Sequence, residues 1–238
     1  MLLSSLLTGY RGRSLFLPAH SRGEGLPDDI KNLLRKRPGV WDLPELPDLG
    51  GPLVSNGAVA ESQKTSALEM GVKKCWYGVN GATGLLQAGL LSIASPGEAV
   101  LIPRNVHRSI IYACALGEIT PVFFDLPFMA DRGHYLPPDS TWIDKVLNSI
   151  EEIDEQIVAA VLVNPFYQGY SIDIEPYVNL FHQLNFPVLV DEAHGTHFSA
   201  GIDSLPKSAL STGADLVVHS LHKSAGGLAQ TAVIWLQG

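Results

Sequence analysis

Cysteine is scarce: Cys75 and Cys114 are the two in 238 residues. Two thiols cannot make a disulfide framework, so the cytoplasm, a reducing compartment, is the simpler setting. Positive charge is also short. Lysine and arginine number 16 against 24 aspartates and glutamates, a formal net charge of −8. A nucleic-acid binder normally shows a basic face, so nucleic acid is not an expected partner. The densest basic stretch, Lys31 to Arg37, reads as a solvated helix face. Long apolar runs are missing. None approaches the roughly 18 residues of a membrane span, and no membrane partner is expected. The opening Met1–Leu7 is apolar but lacks a basic lead-in and a small-residue cleavage site. It reads as a short helix rather than a signal peptide. With 46% hydrophobic and 17% charged residues the chain is globular, not disordered.

Proline is unevenly spread. Pro18, Pro27, Pro38, Pro44, Pro47 and Pro52 crowd the start, and Gly50-Gly51 closes that zone. Such density breaks helices and forces extended or turning backbone. Residues 1–55 therefore read as an N-terminal arm lying over something else, and residues 56–238 as a large domain. In the latter the pattern becomes an alternation. A helix is expected over 57–74, with Asn56 as its cap. Short apolar runs follow at Cys75–Val79, Ala99–Pro103, Pro121–Phe124, Val158–Val163, Val188–Val190, Leu216–His219 and Thr231–Leu236, most of them separated by helical stretches. Continuously apolar runs suit strands buried on both faces of a mostly parallel sheet. An open α/β sheet binds its ligands beyond the carboxyl ends of its strands.

Three strand ends carry chemistry. Gly78-Val79-Asn80-Gly81-Ala82-Thr83-Gly84 leads from a strand into a helix, where free amides and the helix dipole suit an anion. The spacing is neither the dinucleotide fingerprint nor a Walker loop, so a phosphate fits but NAD and ATP do not. Asp191-Glu192-Ala193-His194-Gly195-Thr196-His197 follows a buried strand. A carboxylate there needs a cationic partner. A metal held by Asp191, His194 and His197 is one reading, though the spacing matches no zinc signature. A carboxylate paired to a protonated cofactor ring is the other. Lys223 follows the strand ending at His219 and is flanked by His222, Ser224 and Gly226-Gly227. A lysine among dipoles and cations has a lowered pKa, and its amine can attack an aldehyde. Phosphate turn, acid and lysine are together the needs of pyridoxal 5'-phosphate.

The blocks Val79-Asn80-Gly81-Ala82-Thr83-Gly84, Pro103-Arg104-Asn105-Val106-His107-Arg108-Ser109, Val190-Asp191-Glu192-Ala193-His194 and His219-Ser220-Leu221-His222-Lys223 give the chain its resemblance. It resembles the major domain of the Orn/Lys/Arg decarboxylases, fold type I pyridoxal-phosphate enzymes, and in particular the arginine/lysine-decarboxylase-like proteins common in cyanobacteria. The resemblance implies the large domain of that fold, a mostly parallel seven-stranded sheet flanked by helices. It implies Lys223 as the lysine that joins the cofactor, Asp191 as the partner of the pyridine nitrogen and His107 as the histidine stacked on the ring. Ala193 packs on the opposite ring face. Ala82 and Thr83 form the phosphate turn, with Ser220 and His222 as further phosphate contacts. His194 stands where relatives often carry an aromatic residue, and Ala19 departs from their Pro-Gly-His pattern beside His20. The implied activity is decarboxylation of arginine, lysine or ornithine, in polyamine biosynthesis, by a homodimer or larger homo-oligomer. Glu192, Asp125 and Asp131 are equal candidates for the carboxylate facing the basic side chain. Relatives continue into a small domain and a C-terminal domain, which the resemblance marks as absent here. Another fold type I activity, an aminotransferase or lyase, and a non-catalytic cofactor-binding fragment are the alternatives.

Overall fold

The computed structural model describes residues 16–36, 38–40, 42–150 and 152–237. The helix expected at Met1–Leu7 lies outside these residues, as does Arg37 of the basic stretch. The described part of the arm holds one helix, α1 (Asp28–Leu34), and short 3-10 turns. Of its apolar side chains Leu26 is buried, while Leu34, Val40, Leu43 and Leu46 are exposed. Proline and the lack of an apolar period explain why so little of it forms regular structure.

The elements that follow alternate. They are α2 (Ala58–Glu69), β1 (Lys74–Gly78), α3 (Gly81–Ile93), β2 (Ala99–Pro103), α4 (Arg108–Gly117), β3 (Thr120–Phe124), β4 (Phe128–Met129), β5 (His134–Tyr135), α5 (Ser140–Ile150), β6 (Ile157–Val163), α6 (Glu175–Gln183), β7 (Val188–Asp191), β8 (Leu216–Ser220), α7 (Leu221–Ser224) and β9 (Ala232–Leu236). The strands expected from the apolar runs all form, within a residue or so at each end. Two expectations fail. Asn56 does not cap α2; Gly57 holds the cap position at φ 90°, with no side-chain bond. That helix also ends at Glu69 rather than residue 74, because Gly71 at φ 67° turns the chain and Lys74 already pairs with Leu236. The β4–β5 hairpin was not anticipated. Its strands are two residues each, held partly by the edge-on Phe128–Tyr135 pair at 5.2 Å.

Seven strands form one sheet in the order β1-β9-β8-β7-β6-β2-β3. The β8-β7, β7-β6, β6-β2 and β2-β3 pairs are parallel, and β9 is antiparallel to both of its neighbours. Every strand but β9 thus points its carboxyl end to one edge. The central strands are buried along their whole length and apolar up to their carboxyl ends, as helices on both faces require. Leu86 and Leu90 of α3 and Ile110 of α4 cover one face; Ile143 of α5 and Phe181 of α6 cover the other. Successive strand residues alternate between these faces. Leu189 belongs to the α3–α4 core and Val190 to the α5–α6 core, so Asp191 points to the α3–α4 side.

Candidate active site

Four segments meet at the common edge. The first is the turn into α3. Gly81 adopts φ 65° there, which strains any other residue, and an added Cβ, 2.7 Å from Gln230 Oε1, would also push that amide aside. The Gly81 amide donates to the Gln230 carbonyl at 2.8 Å, and the Gly84 amide donates to the Asn80 carbonyl at 3.3 Å. Between them the amides of Ala82 and Thr83 occupy the first turn, where the helix supplies no acceptor. Such free amides, with the helix dipole behind them, suit an anion. Gln230 adjoins Thr231, whose carbonyl accepts from the Leu221 amide at 3.0 Å. Two main-chain bonds therefore tie the phosphate-type turn to the segment that carries Lys223.

The second is the end of β7. Asp191 pairs with Val163 and Val218 on its neighbours, and its Oδ1 accepts from the Ala193 amide at 3.0 Å. Burial raises its pKa; the Ala193 bond and the charges of Lys223 and His107 oppose that shift. Ala193 is itself buried. The third is the N-terminus of α4, where His107 is the cap. Its Nδ1 lies 2.8 Å from Ser109 Oγ and accepts from the Ser109 amide at 3.2 Å, which fixes the plane of the ring. Partial burial lowers its pKa, aided by Lys223 and Arg108 against Asp191.

The fourth is α7. Lys223 is half-buried, which lowers its pKa, while Asp191 acts in the other direction. Its Nζ lies 3.0 Å from His194 Nε2. Burial first, then the charges of Lys223, His107 and His222, push His194 down to about 4. The ring of Tyr167 meets His194 edge-on at 5.5 Å. Ser220 is wholly buried and its Oγ lies 3.2 Å from His222 Nδ1, so of this pair His222 is the one nearer the surface. An arm residue reaches the same turn: the Ala19 amide donates to the His222 carbonyl at 2.9 Å. The His20 ring faces its own loop, with Nδ1 accepting from Gly23.

Lys223, Asp191, His107, His194 and His222 thus share one electrostatic neighbourhood, with the Ala82–Thr83 turn beside it. His197 does not join them; it is exposed and packs against Phe198 at 4.6 Å. Among the described residues no three His, Cys, Asp or Glu side chains are placed to hold a metal. Glu192 is a correction. It is wholly buried, and its carboxylate accepts from Ser208 Oγ at 2.6 Å, the Ala209 amide at 2.7 Å and His219 Nε2 at 2.6 Å. It has no room for a substrate. Asp125 is exposed and paired to Arg104, and Asp131 is exposed 4.0 Å from Arg132. The Glu192–His219 pair was missed from sequence. Its signal was there: an acid and a histidine adjoining apolar strands, each costly to bury without the other.

The arrangement brings an amine, a buried acid and a histidine ring into one electrostatic neighbourhood at the sheet edge where the α3 amides also lie. The sequence matches the major domain of the Orn/Lys/Arg decarboxylases over residues 11–238. It is 30% identical over 218 residues to arginine decarboxylase of Bacillus anthracis, covering 92% of this chain and 43% of that protein. The chain therefore spans less than half the length of that relative. Among solved structures, lysine decarboxylase A of Pseudomonas aeruginosa superposes with a TM-score of 0.74 at 17% identity, covering 99% of this chain and 34% of the other. The constitutive lysine decarboxylase of E. coli gives 0.73 at 19% identity, covering 96% and 34%. These likenesses establish the fold, the large domain of fold type I enzymes. With the family match they settle the kinship: the chain belongs to the Orn/Lys/Arg decarboxylase major-domain family.

Proposed function

We propose that the chain binds pyridoxal 5'-phosphate and serves the decarboxylation of a basic amino acid, arginine, lysine or ornithine, to an amine and carbon dioxide. The observation that carries this reading is the convergence of Lys223, Asp191 and His107 beside the α3 N-terminus. The residues fit the group. The Ala82 and Thr83 amides, with the Thr83 hydroxyl and His222, suit a phosphate dianion. Asp191 has one oxygen on Ala193 and, among the described residues, leaves Oδ2 for the proton of a ring nitrogen. When bound, the cofactor supplies an aldehyde and an electron-accepting ring.

The chain's own part follows from the site. Burial favours the neutral amine of Lys223, the form that attacks a carbonyl carbon. His194 takes part in either direction: its neutral Nε2 accepts from an ammonium, or donates to the free amine, at the same 3.0 Å. Asp191 would stabilise a positive ring by direct charge pairing, and the same pairing would relieve the cost of its own burial. His107, locked to Ser109, would restrain the tilt of a bound ring, and Ala193 would pack on that ring's other face. The substrate's ammonium and carboxylate lie outside what these residues specify, and the basic side chain requires an acid other than Glu192. Family membership and the arginine decarboxylase kinship support a cationic substrate. A homo-oligomer working in the cytoplasm, within polyamine biosynthesis, is part of the same proposal.

The test is carbon dioxide release from carboxyl-labelled arginine, lysine and ornithine with added pyridoxal phosphate. Release from at least one, abolished in Lys223→Ala, is the expected result. Cofactor attachment without release from any of the three would favour the non-catalytic alternative and overturn the proposed activity.

A further inference from the structure

A second buried network lies on the opposite side of the sheet from Asp191. His219 lies two residues past Val217 on the same face of β8 and so faces the α5–α6 core, where Trp235 of β9 also lies. The Trp235 indole Nε1 donates to His219 Nδ1 at 3.0 Å. An indole can only donate, so His219 carries its proton on Nε2, and that nitrogen donates to Glu192 Oε2 at 2.6 Å. Ser208 Oγ accepts from the Leu210 amide and therefore gives its own proton to the same oxygen. Every donor in the network has one acceptor, and Glu192 and His219 are both fully buried.

The place of this network matters more than its strength. The β7–β8 ladder ends at the Asp191–Val218 pair, and past it the Glu192 amide donates to the Val218 carbonyl at 3.1 Å. There the strands part, β7 into the Ala193–Gly195 turn and β8 into α7. The Glu192–His219 bond spans the fork. Glu192 is bonded through the chain to Asp191, and His219 stands four residues before Lys223, ahead of Ser220, whose carbonyl accepts from Thr196 Oγ1. Nothing else among the described side-chain bonds joins residues 192 and 219, the last positions before the two site segments diverge.

We propose that the Glu192–His219 pair, seated on Trp235, is a positioning strut that sets the separation of Asp191 and Lys223. The proposal rests on the reading of those two residues as the working acid and amine. The groups facing Lys223 are His194, Asp191, His107 and, behind His194, His222. Releasing the fork moves Lys223 relative to all of them, so the amine's protonation changes even with no ligand present.

The experiment uses the full chain without cofactor. Lysines are reductively methylated with formaldehyde across a pH series and read by peptide mapping, with exposed Lys64 as the reference in the same digest. His219→Leu is expected to move the Lys223 midpoint by about half a pH unit or more. His219→Gln, whose amide can donate to Glu192 and accept from Trp235, is expected to restore it. Pyridoxal phosphate added to the same proteins is expected to bind more weakly to the leucine variant, by about threefold or more, the fold-change that half a pKa unit represents. A Lys223 midpoint that stays at the parent value while the melting temperature falls would show a merely structural pair and overturn the proposal. If His219→Leu does not fold, Trp235→Phe frees Nδ1 and carries the same comparison, with an unchanged midpoint again overturning it. Failure of pyridoxal phosphate to attach to Lys223 in the parent would instead overturn the cofactor reading, while the labelling series still decides the strut.

Discussion

Asp191→Asn should stabilise the cofactor-free chain at neutral pH while weakening its hold on pyridoxal phosphate. Asp191 is 7% exposed, and its pKa is raised because burial outweighs Ala193, Lys223 and His107. A carboxyl with a raised folded-state pKa favours the fold most when protonated. That contribution is complete below its unfolded value, near 4, and is lost as pH rises through the folded value. Above that range the parent gives up stability that the protonated carboxyl would have supplied, whereas asparagine keeps the acceptor for the Ala193 amide and does not titrate. Relief of an incompletely paired buried group is worth about 1–2 kcal/mol. A chain of this size gains about 2–4 °C per kcal/mol, so the variant should melt about 2–8 °C higher. The gap should narrow as pH falls toward 4. Saturating pyridoxal phosphate should reverse the order, because the parent gains the linked binding energy, about 2.7 kcal/mol at a hundredfold excess over Kd, and the variant gains less. Thermal melts by circular dichroism at several pH values, with and without cofactor, test this. An asparagine variant that melts below the parent without cofactor, or a gap independent of pH, would refute the reasoning.

Two further outcomes follow from the same geometry. His194, pushed down to about 4, should show no titration between pH 6 and 8 in histidine-resolved NMR spectra of the cofactor-free chain; a midpoint near the ordinary value of about 6.5 would mean that the ring is not held against Lys223. Gly195→Ala places a Cβ 2.7 Å from both Glu192 Cγ and Pro165 Cδ, and overpacking of this kind should cost about 1–3 kcal/mol in urea unfolding, with a neutral result showing that the turn relaxes freely.

Much of the fold was legible because its strands are buried on both faces. Val158–Val163 and Val188–Val190 advertise themselves as unbroken apolar runs, and the order of strands and helices does the rest. The Asn56 cap and the far end of α2 were not, since Gly57 and Gly71 set both boundaries through positive φ rather than through side-chain chemistry. The β4–β5 hairpin has two-residue strands, too short for any alternation to register. At the site, Asp191 and Lys223 stood out as residues costly to place at strand ends, while His107 came from the resemblance alone. Glu192 was misread as a possible substrate partner because sequence gives no sign of which side of the sheet it faces. His219 escaped notice because its partner, Trp235, is 16 residues away on a strand that returns antiparallel.

The most direct test of the account is to mix the chain with pyridoxal 5'-phosphate, fix the product with borohydride and map the modified lysine by mass spectrometry. The account predicts modification at Lys223, its loss in Lys223→Ala, and its weakening in Asp191→Asn. Modification spread over exposed lysines such as Lys64 and Lys207, unchanged by Lys223→Ala, would contradict it.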